Sequence, residues 1–244
     1  MCVTVATLGT GAAYHPFRGQ SSILLEAGST RILVDAGCSA LRGLLRLGVP
    51  PESLDAILLT HFHADHVCGY PLLLFAASYR LDRVETLTLV PPGESSRVAW
   101  LSSSIRGGAP IEPRVVEAQR TTSIGDFTVD PVEVDHGVPA SGYMLRYGDL
   151  GVLVTGDTRP TPAIEIASGR ATLVVHEATY PSVDREKAVS RKHSTVDEAI
   201  LDSRHAEMVV VYHLTLESEA EALRIHSREP KLIVPQDGSA IRIC

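Results

Sequence analysis

The chain has 244 residues, 44% of them hydrophobic and 21% charged, with a formal net charge of −7. That length suits one large α/β domain or two small ones, and the composition is globular, which excludes a disordered polymer. The acidic balance argues against a protein whose main task is to wrap a phosphate backbone, and no apolar run reaches the roughly 18 residues of a membrane span.

Met1-Cys2-Val3-Thr4-Val5 places no basic stretch ahead of an apolar one, so a signal peptide is not expected and a cytoplasmic protein is. Strands are predicted at Val3–Leu8, Ser22–Glu26 and Arg31–Asp35, short β-branched or alternating runs between Gly-containing turns. Ser39–Leu47 has apolar residues at 41, 44, 45 and 47, a helical spacing. Ala56–Thr60 reads as a buried strand. Further strands are predicted at Thr86–Val90, Phe127–Val134, Gly142–Arg146 and Gly151–Thr155. Thr161–Ser168 and Ser194–Arg204 read as helices, the second opening with Ser-Thr-x-x-Glu, a capping signal. Met208–Tyr212, Ser218–His226 and Leu232–Val234 then read strand, helix, strand. Leu72–Leu81 is apolar enough for either a core helix or a dimer interface.

No repeat or linker divides the chain. The best break, Pro91–Pro113 with Gly107-Gly108 inside it, reads as a helix and loop, so a single domain over residues 1–244 is expected. Two packed sheets with helices outside fit this order of elements. Four cysteines stand far apart at Cys2, Cys38, Cys68 and Cys244, a spacing that suits neither a disulfide scaffold nor a CxxC zinc knuckle; reduced thiols are expected.

The sharpest chemical signal is Thr60-His61-Phe62-His63-Ala64-Asp65-His66, directly after a buried strand. Residues two apart in extended chain share a face, so His61 and His63 point the same way, and Asp65 and His66 follow as the chain turns. Such a cluster is a poor core, because each polar group needs a partner, but it suits a borderline metal such as zinc. His136, Asp157 and His213 each follow a predicted strand. Active sites of layered α/β folds gather at such strand ends.

HxHxDH followed by a distant His, a distant Asp and a late His resembles the metallo-β-lactamase superfamily, and the likeness starts at Leu8-Gly9-Thr10-Gly11 and Val34-Asp35-Ala36-Gly37. The resemblance implies a four-layer αβ/βα sandwich of two mixed β-sheets flanked by helices. It also implies two divalent metal ions, zinc first, with manganese or iron(II) as alternatives. His61, His63 and His136 would hold one, Asp65, His66 and His213 the other, and Asp157 would bridge them.

His176-Glu177-Ala178-Thr179 and His193-Ser194-Thr195 resemble the pair that marks the ribonuclease Z (tRNase Z) group. Thr155-Gly156-Asp157-Thr158-Arg159-Pro160 and Asp135-His136-Gly137-Val138-Pro139 resemble that group too. There the counterpart of His193 lies beside the metals and is oriented by the counterpart of Glu177. Imidazole can protonate a departing ribose oxygen near neutral pH, and a nearby carboxylate favours its cation. The implied catalytic residues are Asp65, His193 and Glu177, acting with a hydroxide held between the metals; His176 reads as structural.

Bacterial members usually carry a long arm that grips tRNA, inserted before the Gly-Asp-Thr strand. Here only Tyr143–Thr155 separate Gly142 from Gly156, with a turn at Tyr147-Gly148-Asp149, which leaves no room for it. The family's basic loop is reduced to His15-Pro16-Phe17-Arg18-Gly19-Gln20, where Arg18 reads either as a phosphate contact or as a solvated arginine. The expected function is an armless, ribonuclease Z-like phosphodiesterase acting on a small diester or an RNA 3′ end. Alternatives are a tRNA 3′-end endonuclease gripped through a homodimer partner, a cyclic-nucleotide phosphodiesterase, a thioester, lactone or β-lactam hydrolase, and a degenerate binding module that lost the site. The last is disfavoured because all seven expected ligands are present.

Overall fold

Period-two alternation places each strand between two different cores. The structure, a computed structural model, describes residues 1–103 and 109–244, so Gly107-Gly108 lies outside the described residues. The first half runs β1 (Val3–Gly9), β2 (Ser22–Ala27), β3 (Thr30–Val34), α1 (Ala40–Arg46), β4 (Ala56–Leu58), α2 (Ala64–Val67), α3 (Tyr70–Ala77), β5 (Leu87–Val90), α4 (Ser95–Ser103) and β6 (Arg114–Glu117). The second runs β7 (Thr122–Ile124), β8 (Phe127–Val132), β9 (Gly142–Tyr147), β10 (Leu150–Val154), α5 (Pro162–Ser168), β11 (Leu173–Glu177), α6 (Arg185–Arg191), α7 (Val196–Asp202), β12 (Met208–Tyr212), α8 (Leu216–His226), β13 (Leu232–Ile233) and β14 (Ser239–Ile243).

Two seven-stranded sheets result, ordered β14-β1-β2-β3-β4-β5-β6 and β13-β12-β11-β10-β9-β8-β7. Ile23, Leu25, Ile32, Val34, Ala56 and Leu58 of the first sheet meet Val129, Leu145, Val152, Val154, Val175 and Val210 of the second in a shared core. The intervening residues Leu24, Leu33 and Ile57 face the other way, under Leu44 of α1 and Tyr70, Leu73 and Leu74 of α3. Val209 and Val211 do the same beneath α7 and α8. The expected sandwich of two mixed sheets with outer helices is therefore the observed one.

Parallel pairing decides where the loops go. β3, β4 and β5 pair in parallel, as do β10, β11 and β12. β8 is antiparallel to β9 and β9 to β10, so β8 runs with β10. The C-terminal ends of β8, β10, β11 and β12 consequently lie at one end of the second sheet, where the residues after β4 also arrive.

Strands β6, β7, β11 and β14 and helix α6 carry too little local signal to be predicted. β11, Leu-Val-Val-His-Glu, is buried throughout and ends in two polar residues that break its apolar run. Helix α7 starts at Val196, because Thr195 is its N-cap: its hydroxyl and Glu198 form the capping box that the Ser-Thr-x-x-Glu pattern predicts. The β9–β10 hairpin pairs Tyr147 with Leu150 across Gly148-Asp149, Gly148 taking φ +61, so no arm is inserted there. The Leu72–Leu81 stretch divides: Leu73, Leu74 and Ala77 are core, whereas Leu72 and Tyr79 are exposed.

The expectation of reduced thiols is corrected by the structure. Cys2 pairs with Cys244 and Cys38 with Cys68, leaving no free cysteine. Antiparallel pairing of β1 with β14 brings together residues 242 apart in sequence. The second bridge forms because Gly69 N–H donates to Ala36 O and Ala36 N–H to His66 O, which ties the loop after β3 to the loop after β4. Sequence spacing carries no trace of either contact. Bridges of this kind typically stabilise by about 2–4 kcal/mol.

Candidate metal centre and its histidine–glutamate pair

All seven sequence-predicted ligands arrive at one end of the sheets. His61, His63, His136 and Asp157 offer atoms within 4.8 Å of one another, as do Asp65, His66 and His213, and as do Asp157, His193 and His213. Asp157 lies between the clusters, its carboxylate oxygens 3.6 Å from His61 Nε2, 3.4 Å from His66 Nε2 and 3.5 Å from His213 Nε2. His136 Nε2 stands 3.2 Å from His63 Nδ1, and His213 Nε2 stands 3.1 Å from Asp65 Oδ2.

Most of these rings are held from behind. His66 Nδ1–H donates to Asp35 Oδ2 at 2.7 Å, and Asp35 also accepts from the Thr60 N–H and hydroxyl, each at 2.8 Å. His136 Nδ1–H donates to Lys192 O at 3.1 Å, and His61 Nδ1 meets Thr60 Oγ1 at 3.1 Å. Such outer contacts fix which ring nitrogen faces the site. The backbone contributes strain: the three non-glycine residues described with positive φ are Asp35 (59°), Lys192 (57°) and His213 (55°). Each is a site residue or the partner of one, and left-handed backbone at a non-glycine persists only where its surroundings hold it. Gly156, at φ +65, is needed for a second reason: a Cβ there would lie 2.7 Å from Thr60 Cβ.

The donor set fits a cation. His61 Nε2, His66 Nε2 and Asp157 Oδ1 are buried without a hydrogen-bond partner. A buried polar atom left unpaired costs about 1–3 kcal/mol, so three that converge on one space mark a place where a metal would satisfy them. Nitrogen and carboxylate donors suit zinc, and manganese or iron(II) as well. Burial, with neighbouring His66, His136 and His63, drives the His61 imidazole well below its usual pKa despite Asp157. Burial also opposes charge on His66 and Asp157. Asp157 and Asp35 nevertheless raise His66 well above its usual value, while His213 and His66 hold Asp157 well below its own.

Beside the clusters sits the predicted pair. His193 Nδ1–H donates to Glu177 Oε1 at 2.8 Å, and Glu177, at the end of β11, is wholly buried. The carboxylate also accepts from the backbone N–H of Thr158 and of Thr179, both at 3.0 Å. Burial disfavours the His193 cation, but Glu177 outweighs it and raises the imidazole to about 9. The linked carboxyl of Glu177 is lowered by His193 against the effect of burial. The proton therefore stays on His193 through neutral pH and is lost as pH rises through about 9. NMR titration of the metal-free protein is expected to show this. In Glu177→Gln the midpoint should fall to or below the ordinary 6.5, because burial then acts without the carboxylate. An unchanged midpoint would mean that Glu177 does not set it.

Two residues fall outside the centre. His176 is buried with Nδ1 on Glu177 O at 2.7 Å, which agrees with a structural role. Arg18 departs from both expected roles, phosphate contact and solvated arginine. Its side chain is turned inward, 3% exposed, and bonded to Thr10 Oγ1, Pro235 O and Glu219. Glu219 also meets His15 Nε2 at 2.9 Å, so this cluster ties the shortened N-terminal loop to α8. Asp35 and Thr179 lay inside motifs quoted from sequence, but their roles depend on contacts that only the fold creates.

Comparison with known proteins places this geometry among relatives. The profile described as "Metallo-beta-lactamase superfamily" matches residues 15–207. Ribonuclease Z of Methanopyrus kandleri is 30% identical over 277 aligned positions, covering 97% of this chain and 96% of that protein. Among solved structures, the metallo-beta-lactamase fold protein YhfI of Bacillus subtilis superposes with a TM-score of 0.84 at 20% identity, over 99% of both chains. Human tRNase Z, short form, superposes with a TM-score of 0.78 at 22% identity, over 98% of both.

Proposed function

The chain belongs to the metallo-beta-lactamase superfamily, and on that premise we propose that it is a metal-dependent phosphodiesterase of the ribonuclease Z kind. The observation that carries this reading is the His193–Glu177 contact at 2.8 Å beside two His/Asp clusters that share Asp157. Thioester or lactone hydrolysis has no evident use for a separate proton donor there. A ribonuclease Z relative aligned along 97% of the chain points the same way.

His61, His63 and His136 would hold one divalent ion, and Asp65, His66 and His213 a second, with Asp157 between them. When bound, such ions polarise phosphoryl oxygens and lower the pKa of water to roughly 7. The chain's own residues supply the rest. Asp65 accepts a hydrogen bond from the attacking water and aims it at phosphorus. His193, its Nδ1–H fixed on Glu177, keeps Nε2–H to give to the departing oxygen. Burial of Glu177 keeps competing water from that contact. Zinc is the proposed ion.

The short β9–β10 hairpin favours a compact diester. A small diester carries one charge and releases no condensed counterions, so its KM should depend only weakly on salt. Assays of bis(p-nitrophenyl) phosphate, cyclic nucleotides and a 3′-extended precursor tRNA side by side, at low and high salt, test the proposal. Hydrolysis of none of them would overturn it. A steep salt dependence with a several-fold preference for the precursor tRNA would instead assign tRNA 3′-end processing, because each neutralised phosphate releases counterions. A homodimer is proposed through the exposed Leu72 of α3 and Tyr79 in the turn that follows it. Among the described residues no helix is long and apolar enough to cross a membrane. A cytoplasmic location is proposed.

A further inference from the structure

Thr179 stands where three functional groups meet. Its hydroxyl oxygen lies 2.7 Å from Glu177 Oε2, 2.8 Å from His213 Nδ1 and 3.2 Å from His193 Nδ1. The side chain is buried between β11 and the turn that follows β12, where His213 is also buried. A hydroxyl has one proton to give and lone pairs to accept with. An ionised carboxylate can only accept, so the Thr179 proton goes to Glu177 Oε2. The hydroxyl oxygen must then accept at its other short contact, from an N–H on His213 Nδ1. His193 makes its own Nδ1–H bond to the other oxygen, Glu177 Oε1, and has no need of Thr179.

The consequence reaches the metal cluster. With Nδ1–H committed to Thr179, the His213 atom left to take a metal, in place of a hydrogen bond to Asp65, is Nε2. That is the atom lying 3.1 Å from Asp65 Oδ2 and 3.5 Å from Asp157 Oδ2. The His193 and His213 rings lie nearly parallel, 13° apart with centroids 5.6 Å apart, and are anchored to opposite oxygens of one carboxylate, one directly and one through the hydroxyl. We infer that Thr179 is a positioning residue that fixes the His213 tautomer, so that Glu177 orients both the proton donor and a ligand of the second metal.

This rests on the two-metal reading above, and the test separates the two. Zinc affinities of both clusters are measured by competition with a chromophoric chelator in wild type, Thr179→Val and Thr179→Ser. Valine keeps the shape and removes the hydroxyl; serine restores it. The expected result is a 10–100-fold weaker second zinc in Thr179→Val, the size usual for losing a contact behind a ligand. The first zinc should be unchanged, and Thr179→Ser should recover most of the loss. Equal weakening of both sites, wild-type affinity in Thr179→Val, or no recovery by serine would overturn the assignment. Nitrogen-detected NMR of the zinc-loaded wild-type protein adds a readout free of any variant: His213 should carry its proton on Nδ1, and an unprotonated Nδ1 would refute the relay. Failure of the wild type itself to bind a second zinc would sink the two-metal reading instead.

Discussion

Replacing His193 by alanine is expected to lower kcat for a diester by roughly 10²–10⁴, the usual contribution of a positioned proton donor. That corresponds to about 2.7–5.4 kcal/mol of lost transition-state stabilisation. Metal content should stay at the wild-type level, because the ring is committed through Nδ1 to Glu177 at 2.8 Å and its nearest approach to Asp157 is 3.9 Å. KM should move little, since the donated proton matters only as the leaving oxygen gains charge. Steady-state kinetics with elemental analysis of the same samples checks both halves. A His193→Ala protein that lost metal would make residue 193 a ligand rather than a donor.

Asp157→Ala should be more damaging still. Its carboxylate lies within 3.6 Å of His61, His66 and His213 alike, and it is 2% exposed. Without it the imidazoles of both clusters face one another with no anion between them, and His66 loses its foremost source of positive-charge stabilisation. We expect bound metal to drop to at most about one ion per chain, with diesterase activity lost, since a shared carboxylate serves both positions of a two-metal site. Asp157→Asn keeps the volume and one acceptor oxygen, and should fold normally while showing the same metal defect. Elemental analysis of both variants beside their circular dichroism decides this; two retained metals would remove Asp157 from between the clusters.

How far such a site can be read from sequence depends on how local its determinants are. His61, His63, Asp65 and His66 were legible because a buried strand ends just before them and a spacing of two fixes a common face. His136, Asp157 and His213 were legible only as residues following strands. What unites them is the parallel pairing of β10, β11 and β12, a long-range property. The contacts that fix the rings were not legible at all. Asp35 reaches His66 because its backbone turns left-handed at φ 59, and His213 meets Thr179 from a residue at φ 55. Neither residue type announces that conformation as glycine would. Arg18 was misread for the same reason: its partner Glu219 lies 201 residues away, and an arginine in a loop otherwise reads as exposed.

Two clusters that share Asp157 make room for two metals. Zinc bound per chain, measured after reconstitution of the purified protein and removal of loosely held ions, should be two, with diesterase activity rising in step with the second ion. Fewer than about 1.5 zinc ions per chain, with activity already complete or absent at that loading, would contradict a centre built on two clusters that share Asp157.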